Sequence, residues 1–222
     1  KDENRHIAKR LVILGGGESG VGAAILGKQK GYEVFVSDYG MIAENYKEVL
    51  LQINVPFEEN GHTEIEILKA DLVVKSPGIP DTITLIEKLQ LVNISVVSEI
   101  EFAFQFTDAI IIGITGSNGK TTTALLIHHI LKHAKMHCGI AGNIGDSFAK
   151  QVAENDFENY VLELSSFQLD GIEKFQPKIG IITNISPDHL DRYNYQFENY
   201  INAKFRITKN QTSEDFLIYD AD

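Results

Sequence analysis

Short apolar runs, each followed by a helix-like segment, alternate along the whole chain. In the first half they are residues 11–14 (LVIL), 34–37 (VFVS), 71–74 (DLVV) and 94–97 (ISVV). Runs of this length, without alternation of apolar and polar residues, read as strands buried on both faces. That is the state of a parallel sheet covered on each side by crossover helices. A second series follows at 109–114 (AIIIGI), 136–140 (MHCGI), 160–164 (YVLEL), 178–185 (KIGIITNI) and 215–219 (DFLIY). The expected fold class is therefore α/β: a Rossmann-like parallel-sheet domain over residues 1–107, then a P-loop α/β ATPase domain over residues 108–222. Ser98 and Glu101 have capping-box spacing, which starts a helix through EIEFAFQF (99–106) up to the boundary. No flexible linker separates the units, so they are expected to touch. The second unit stops on a strand where another crossover would follow, and the expectation is a central domain incomplete at its C-terminus.

Charge and composition narrow the partners. There are 31 acidic and 20 basic residues, a formal charge of -11. Such a chain repels a phosphate backbone, so no nucleic-acid partner is expected. The single cysteine, Cys138, allows no internal disulfide and suits a reducing compartment. No apolar run approaches the ~20 residues of a membrane helix, and residues 1–10 (KDENRHIAKR) lack a signal-peptide core. A cytoplasmic monomer with no membrane partner is the expectation.

The first chemical signal is LVILGGGESGVGAA. Gly15, Gly17 and Gly20 follow a strand and open a helix, the G-x-G-x-x-G spacing in its required context. Glycines there permit a tight turn and close backbone approach to a diphosphate, which the free N–H groups of the helix start would face. Asp38 ends the next strand, where an acid would meet a ribose hydroxyl. The motif does not separate a dinucleotide from a UDP-sugar, and a glycine turn that merely packs helix on sheet has the same spacing. KSPGIP (75–80) lies at the same carboxyl edge and by itself reads as a plain turn.

The second signal is GITGSNGKTTT. Gly116 and Gly119 free the backbone so that N–H groups can converge on an anion, with Ser117 and Asn118 between them. Lys120 supplies a charge for terminal phosphates, and Thr121 and Thr122 open the following helix, with Thr121 at the Mg²⁺ position. The strict pattern fails at one place, because Ile114 stands at the first glycine position. Glu163, at the tip of YVLE, is the acid such a loop needs for its metal.

Two features downstream are odd. NISPDHLDRY packs Asp188, His189 and Asp191 into one loop at the sheet edge, a metal-ligand candidate beside a nucleotide site. In YQFENYINAKFRITK, wound at roughly 100° per residue, Lys204 falls amid an apolar face of Phe197, Tyr200, Ile201, Phe205 and Ile207. It either snorkels outward or stays buried for a purpose. A desolvated lysine loses its proton more easily and could take up CO₂ as a carbamate. His129, His133 and His137 complete no tetrahedral set and read as surface residues.

TGSNGKTTT, GNIG (142–145), LELSSFQL, DHLDRY and NAKFRI together resemble the Mur ligases of peptidoglycan synthesis, over essentially the whole chain. LELSSFQL is similar to the branch that joins D-glutamate to UDP-N-acetylmuramoyl-L-alanine. The resemblance implies a first domain that binds the UDP part of that substrate. Gly15, Gly17, Glu18, Ser19, Asp38, Ser76, Pro77 and Gly78 would be in contact, although Glu18 and Ser19 depart from the family pattern. It implies ATP on residues 116–122 and two Mg²⁺ ions held by Thr121, Glu163, His189 and a carbamylated Lys204. Asn143 and Ser165 would position substrate, and Lys120, His189 and Lys204 would be catalytic. The reaction implied is amide ligation through an acyl phosphate. A third domain and further central strands of the family are absent from these residues, so the piece alone is expected not to ligate. Two other readings compete: an NAD-dependent oxidoreductase built on the first glycine loop, which leaves the P-loop and Lys204 without a role, and a non-catalytic nucleotide-binding module.

Overall fold

In a computed structural model, which describes residues 8–220, the apolar runs form two five-stranded parallel sheets. The first contains β1 (Arg10–Leu14), β2 (Glu33–Ser37), β3 (Phe57–Glu58), β4 (Leu72–Lys75) and β5 (Ser95–Ser98), ordered β3-β2-β1-β4-β5. Its helices are α1 (Glu18–Gln29), α2 (Glu44–Gln52), α3 (Glu64–Ile67) and α4 (Thr84–Leu91), and α5 (Glu99–Phe104) leaves its last strand. The β1 residues explain the absence of alternation. Leu11 and Ile13 enter one apolar cluster, Val12 and Leu14 another on the opposite face. β3 is an element the sequence reading lacks. Two residues after Pro56 carry no pattern of their own, and pairing of Phe57 with Val36 makes the strand.

The second sheet contains β6 (Ile110–Thr115), β7 (Cys138–Gly142), β8 (Asn159–Glu163), β9 (Ile179–Ile182) and β10 (Phe216–Tyr219), ordered β10-β9-β6-β8-β7. Helices α6 (Lys120–His133), α7 (Phe148–Glu154), α8 (Ser166–Asp170) and α9 (Phe197–Phe205) belong to it. Strand order reverses between β1 and β4 in one sheet and between β6 and β9 in the other. Loops leaving neighbouring strands in opposite directions open a crevice at each reversal, and both glycine loops start there.

The two units share one core. Leu26 and Phe102 of the first belong to the same buried cluster as Phe148, Tyr160 and Phe175 of the second. Three carboxylates of the first unit cross the seam. Glu18 Oε1 accepts from the Ser147 N–H at 3.1 Å, Glu99 Oε1 accepts from the Ala149 N–H, and Glu101 accepts from the N–H groups of Glu173, Lys174 and Phe175. Only half of the expected capping box forms. Ser98 Oγ accepts from the Glu101 N–H at 3.2 Å, but the Ser98 N–H donates to the Gly171 carbonyl, and the Glu101 carboxylate goes across the seam instead. The helix ends at Phe104, two residues before the expected 106.

Glu99 is the unusual member. It is 3% exposed, and its Oε2 has no hydrogen-bond partner among the described residues. Burial, helped by the charge of Glu18, raises its pKa from 4.5 to about 8, against the bond from Ala149. Between those values the folded state holds a proton that the unfolded chain has released. This contribution to stability is therefore full below 4.5 and fades as pH rises through about 8. Glu99→Gln is neutral at every pH and keeps an acceptor for Ala149. Urea unfolding is expected to show the variant about 2 kcal/mol more stable than the parent near pH ~9, with the gap closing near pH ~4. A constant gap across that range would refute the buried proton.

Candidate active site

The loop after β1 and the turn after β4 lie against each other. Gly15 has φ +98°, and a Cβ there would sit 2.3 Å from Ser76 Oγ, so only glycine allows the approach. Together they wall a cavity of about 710 Å³ that Gly15, Gly17, Ser19, Asp38, Ser76, Pro77 and Gly78 line. Glu18, expected among the substrate contacts, is not in that lining. Its Oε1 is engaged by Ser147, and its Oε2 accepts from Tyr46 OH at 3.2 Å. Asp38 is at the cavity, but its carboxylate accepts from the N–H groups of Gly16 at 2.6 Å and Gly40 at 2.8 Å, so it braces its own loops. Tyr39 and His62 also line this cavity, with ring centres 5.8 Å apart. Neither was picked out from sequence. Tyr39 could have been, as the neighbour of Asp38, whereas His62 sits in a loop without a motif. Burial lowers the His62 pKa, and its Nδ1 lies 2.7 Å from Ser37 Oγ.

A second cavity, about 210 Å³, adjoins the first through Pro77 and Gly78, which line both. Lys120, Asn143, Ser165, Ser166, Phe167, Asp188, His189, Tyr200 and Lys204 complete its wall. The loop from β6 to α6 is pinned to the segment after β9. Ser117 N–H donates to the Asn184 carbonyl at 2.9 Å, Ser117 Oγ donates to the Ser186 carbonyl at 2.9 Å, and Asn118 N–H donates to Asn184 Oδ1 at 3.0 Å. Gly116 has φ +146°, and a Cβ there would lie 1.9 Å from Thr183 Oγ1, so the crowding is backbone against side chain. Gly119, at φ +83°, caps α6, and Thr121 and Thr122 sit exposed on its first turn.

The site is arranged around two lysines. Lys120 Nζ donates to the carbonyls of Gly116 at 2.9 Å and Ser117 at 3.0 Å. Lys204 Nζ donates to the same Gly116 carbonyl at 2.8 Å and sits 4.6 Å from the Tyr200 ring centre. Lys204 is 2% exposed, so it does not snorkel. Its helix face is corrected in one place. Tyr200, Ala203, Lys204 and Ile207 are buried, while Phe205 is 43% exposed, because five residues at roughly 100° each carry it about 140° around the helix from Tyr200. The chain continues as a 3-10 turn, Arg206–Thr208. Burial, and then the charge of Lys120, lower the Lys204 pKa to about 8, with Asp188 opposing. Two cations beside the N-terminal end of a helix attract a polyanion.

Glu163 is 2% exposed and approaches the same region from β8. Its Oε2 accepts from Thr121 Oγ1 at 2.7 Å, and its Oε1 accepts from Asn143 Nδ2 at 3.0 Å. Ser165 caps α8 in a full capping box with Gln168, which S-S-F-Q in the sequence spells out but the motif reading passed over. His189 Nε2 lies 3.5 Å from Asp188 Oδ2, whereas Asp191 faces a separate small cavity with Asp170 and Arg192. Among the described residues no three His, Cys, Asp or Glu side chains converge as a metal-ligand set. An Mg²⁺ ion carried by phosphates needs only one or two protein oxygens, and the Thr121–Glu163 pair is of that hard-oxygen type. The rings of His129 and His133 lie 4.6 Å apart, tilted at 40°, on the exposed side of α6. No helix among the described residues is long and apolar enough to cross a membrane.

Comparison with known proteins agrees with this fold. Residues 114–222 match the Mur ligase middle domain, and residues 10–83 match the MurD N-terminal domain. The chain is similar to the UDP-N-acetylmuramoylalanine–D-glutamate ligase of Christiangramia forsetii, with 61% identity over 97% of this chain and 48% of that protein. It is similar to the protein of the same name in Bacteroides fragilis, with 57% identity over 95% of this chain and 48% of that one. The chain thus spans about half the length of the curated relatives it matches. Among solved structures it resembles the UDP-N-acetylmuramate:L-alanyl-gamma-D-glutamyl-meso-diaminopimelate ligase of Neisseria meningitides, at TM-score 0.67 and 18% identity over 96% of this chain and 72% of that one. It also resembles the UDP-N-acetylmuramate–alanine ligase of Thermotoga maritima, at TM-score 0.60 and 21% identity over 96% and 49%. At such identities the structures attest the fold alone.

Proposed function

The chain belongs to the Mur ligase family, and from that premise we propose that the protein containing it joins D-glutamate to UDP-N-acetylmuramoyl-L-alanine at the expense of ATP. The observation that carries the reading is the pair of adjoining cavities. One is walled by the glycine loop and the other by Lys120, His189 and Lys204, with Pro77 and Gly78 common to both. A long substrate with its diphosphate in the first cavity can present a reactive end in the second. An oxidoreductase built on the first cavity would leave Lys120, Glu163 and Lys204 without a role.

In the proposed reaction the L-alanyl carboxylate oxygen attacks the γ-phosphorus of ATP, and the bond to the β-γ bridging oxygen breaks, giving an acyl phosphate and ADP. The D-glutamate amine then attacks the acyl carbon, phosphate leaves, and the amine proton is lost. Lys120 neutralises terminal phosphate charge, and the loop over residues 116–122 grips the triphosphate with its backbone N–H groups. Asn143 and Ser165 orient the acyl end, and Lys120 offsets the repulsion between carboxylate and phosphate oxygens. Thr121 and Glu163 would hold one Mg²⁺, and His189 with a carbamylated Lys204 a second. The ions would supply charge neutralisation at the transferring phosphoryl group. The 222 residues alone are proposed to bind the UDP part without completing ligation.

The test is phosphate release by the full-length protein, which is expected to require both UDP-N-acetylmuramoyl-L-alanine and D-glutamate. In the present chain, UDP rather than NADH is expected to shift the amide resonances of Gly15 and Gly17. Release without D-glutamate, or a shift with NADH alone, counts against the reading.

A further inference from the structure

We propose that Arg192 is a positioning residue that fastens the wall between the two cavities, holding the turn at Pro77 and Gly78 to the segment that presents His189. Its Nη1 donates to the Gly78 carbonyl at 3.2 Å and its Nη2 to the Pro77 carbonyl at 3.3 Å, so both arms of one guanidinium grip consecutive residues of the other unit. The guanidinium carbon lies 4.4 Å from the centre of the Phe167 ring, which is itself 5.4 Å from His189 and stacked on Tyr193 at 5.9 Å. A line of contacts therefore runs from Gly15 through Ser76, Pro77 and Gly78 to Arg192, Phe167 and His189.

The segment needs such a brace. His189, Asn194 and Tyr195 all have left-handed backbone, with φ of 49°, 55° and 56°. Asn and His tolerate that conformation better than most side chains, but the bulky Tyr195 holds it only where its surroundings impose it. Within the segment the Arg192 N–H donates to the His189 carbonyl at 3.0 Å, and the Tyr195 N–H to the Leu190 carbonyl at 2.7 Å. Tyr193 OH donates to Asp170 Oδ2 at 2.8 Å and anchors it to α8. Arg192 supplies a tie from the segment to the first unit. A planar fork suits two adjacent carbonyls and a flat aromatic face, whereas a lysine ammonium can satisfy one carbonyl and stacks less well.

The consequence for function rests on the proposed reading. Pro77 and Gly78 line both cavities, so Arg192 would set where a substrate passes from one into the other and how His189 faces it. A residue acting this way changes the turnover of bound substrate more than nucleotide affinity.

The test uses Arg192→Gln and Arg192→Lys in the full-length protein. In the ligand-free state, hydrogen exchange of Arg192→Gln is expected to be about tenfold faster both at residues 78–79 and at 189–196, with the β1 and β6 amides unchanged. Arg192→Lys should fall between parent and Gln at both places. Loosening of 189–196 alone, or of neither segment, overturns the proposal. If Arg192→Gln loosens the whole molecule, Arg192→Lys decides, since selective loosening of the two segments is expected of it. In phosphate-release assays kcat is expected to fall about 30-fold in Arg192→Gln with KM for ATP within about threefold, and Arg192→Lys to recover part of the loss. Parental kcat in Arg192→Gln overturns it as well. A parent protein that releases no phosphate counts against the proposed function instead, and the exchange comparison then decides on Arg192.

Discussion

Lys204→Ala in the full-length protein is expected to leave less than about one thousandth of the parental turnover, with the fold intact. The side chain is buried at the cavity, shares the Gly116 carbonyl with Lys120, and has a pKa lowered to about 8 by desolvation and by that neighbouring charge. Below about 8 the ammonium dominates; as pH rises through that value the neutral amine appears. Only the neutral amine attacks CO₂, its nitrogen bonding to carbon while an N–H proton leaves, so the proposed carbamate should form more readily as pH rises. With ¹³C-labelled CO₂ the parent is expected to give a carbamate resonance that grows across this range. Lys204→Arg keeps a permanent charge and should give none. Removing a charged group that touches the transferring phosphoryl region costs about 10²–10³ in rate at comparable sites, and loss of a metal-binding oxygen adds to that. Full turnover in Lys204→Arg would show that a cation, rather than a carbamate, is what position 204 contributes.

Lys204 also marks what a sequence can disclose. A lysine amid apolar helix positions is visible from periodicity, because charge and burial conflict there whatever the fold. Its partner atom was not visible, since the Gly116 carbonyl lies 88 residues away in sequence. The strands of both sheets were legible because burial on both faces removes polar residues from them. β3 was not, because a two-residue edge strand exists only through its neighbour. The glycine loops announced themselves by spacing, yet spacing could not reveal that Asp38 spends its carboxylate on Gly16 and Gly40. Glu18 illustrates the same limit. It stands inside the motif, one residue after Gly17, but a helix start can direct a side chain toward a ligand or toward a neighbouring domain. Only the packing of α1 beside α7 decides that, and packing of this kind leaves no local signal.

The seam supplies the second large effect. Glu101→Ala is expected to destabilise the protein by about 4 kcal/mol. The carboxylate is 1% exposed and accepts from three successive backbone N–H groups, Glu173 at 2.8 Å, Lys174 at 2.9 Å and Phe175 at 2.9 Å. Alanine leaves those donors facing a cavity, and each unsatisfied buried N–H costs about 1–3 kcal/mol. Glu101→Gln tests the charge separately. Its amide oxygen can still accept, but its NH₂ group confronts one of the three donors, and about half the loss is expected. Equilibrium urea unfolding measures both variants, and a midpoint for Glu101→Ala within about 1 kcal/mol of the parent would sink the claim. The slope carries further information. The residues 173–175 lead from α8 toward β9, and Phe175 belongs to the core that both sheets share. If the carboxylate is what couples the two units, Glu101→Ala should unfold with a lower slope or in two steps, while Glu101→Gln keeps one transition. A single unaltered transition in the alanine variant would instead credit the apolar core alone with the coupling.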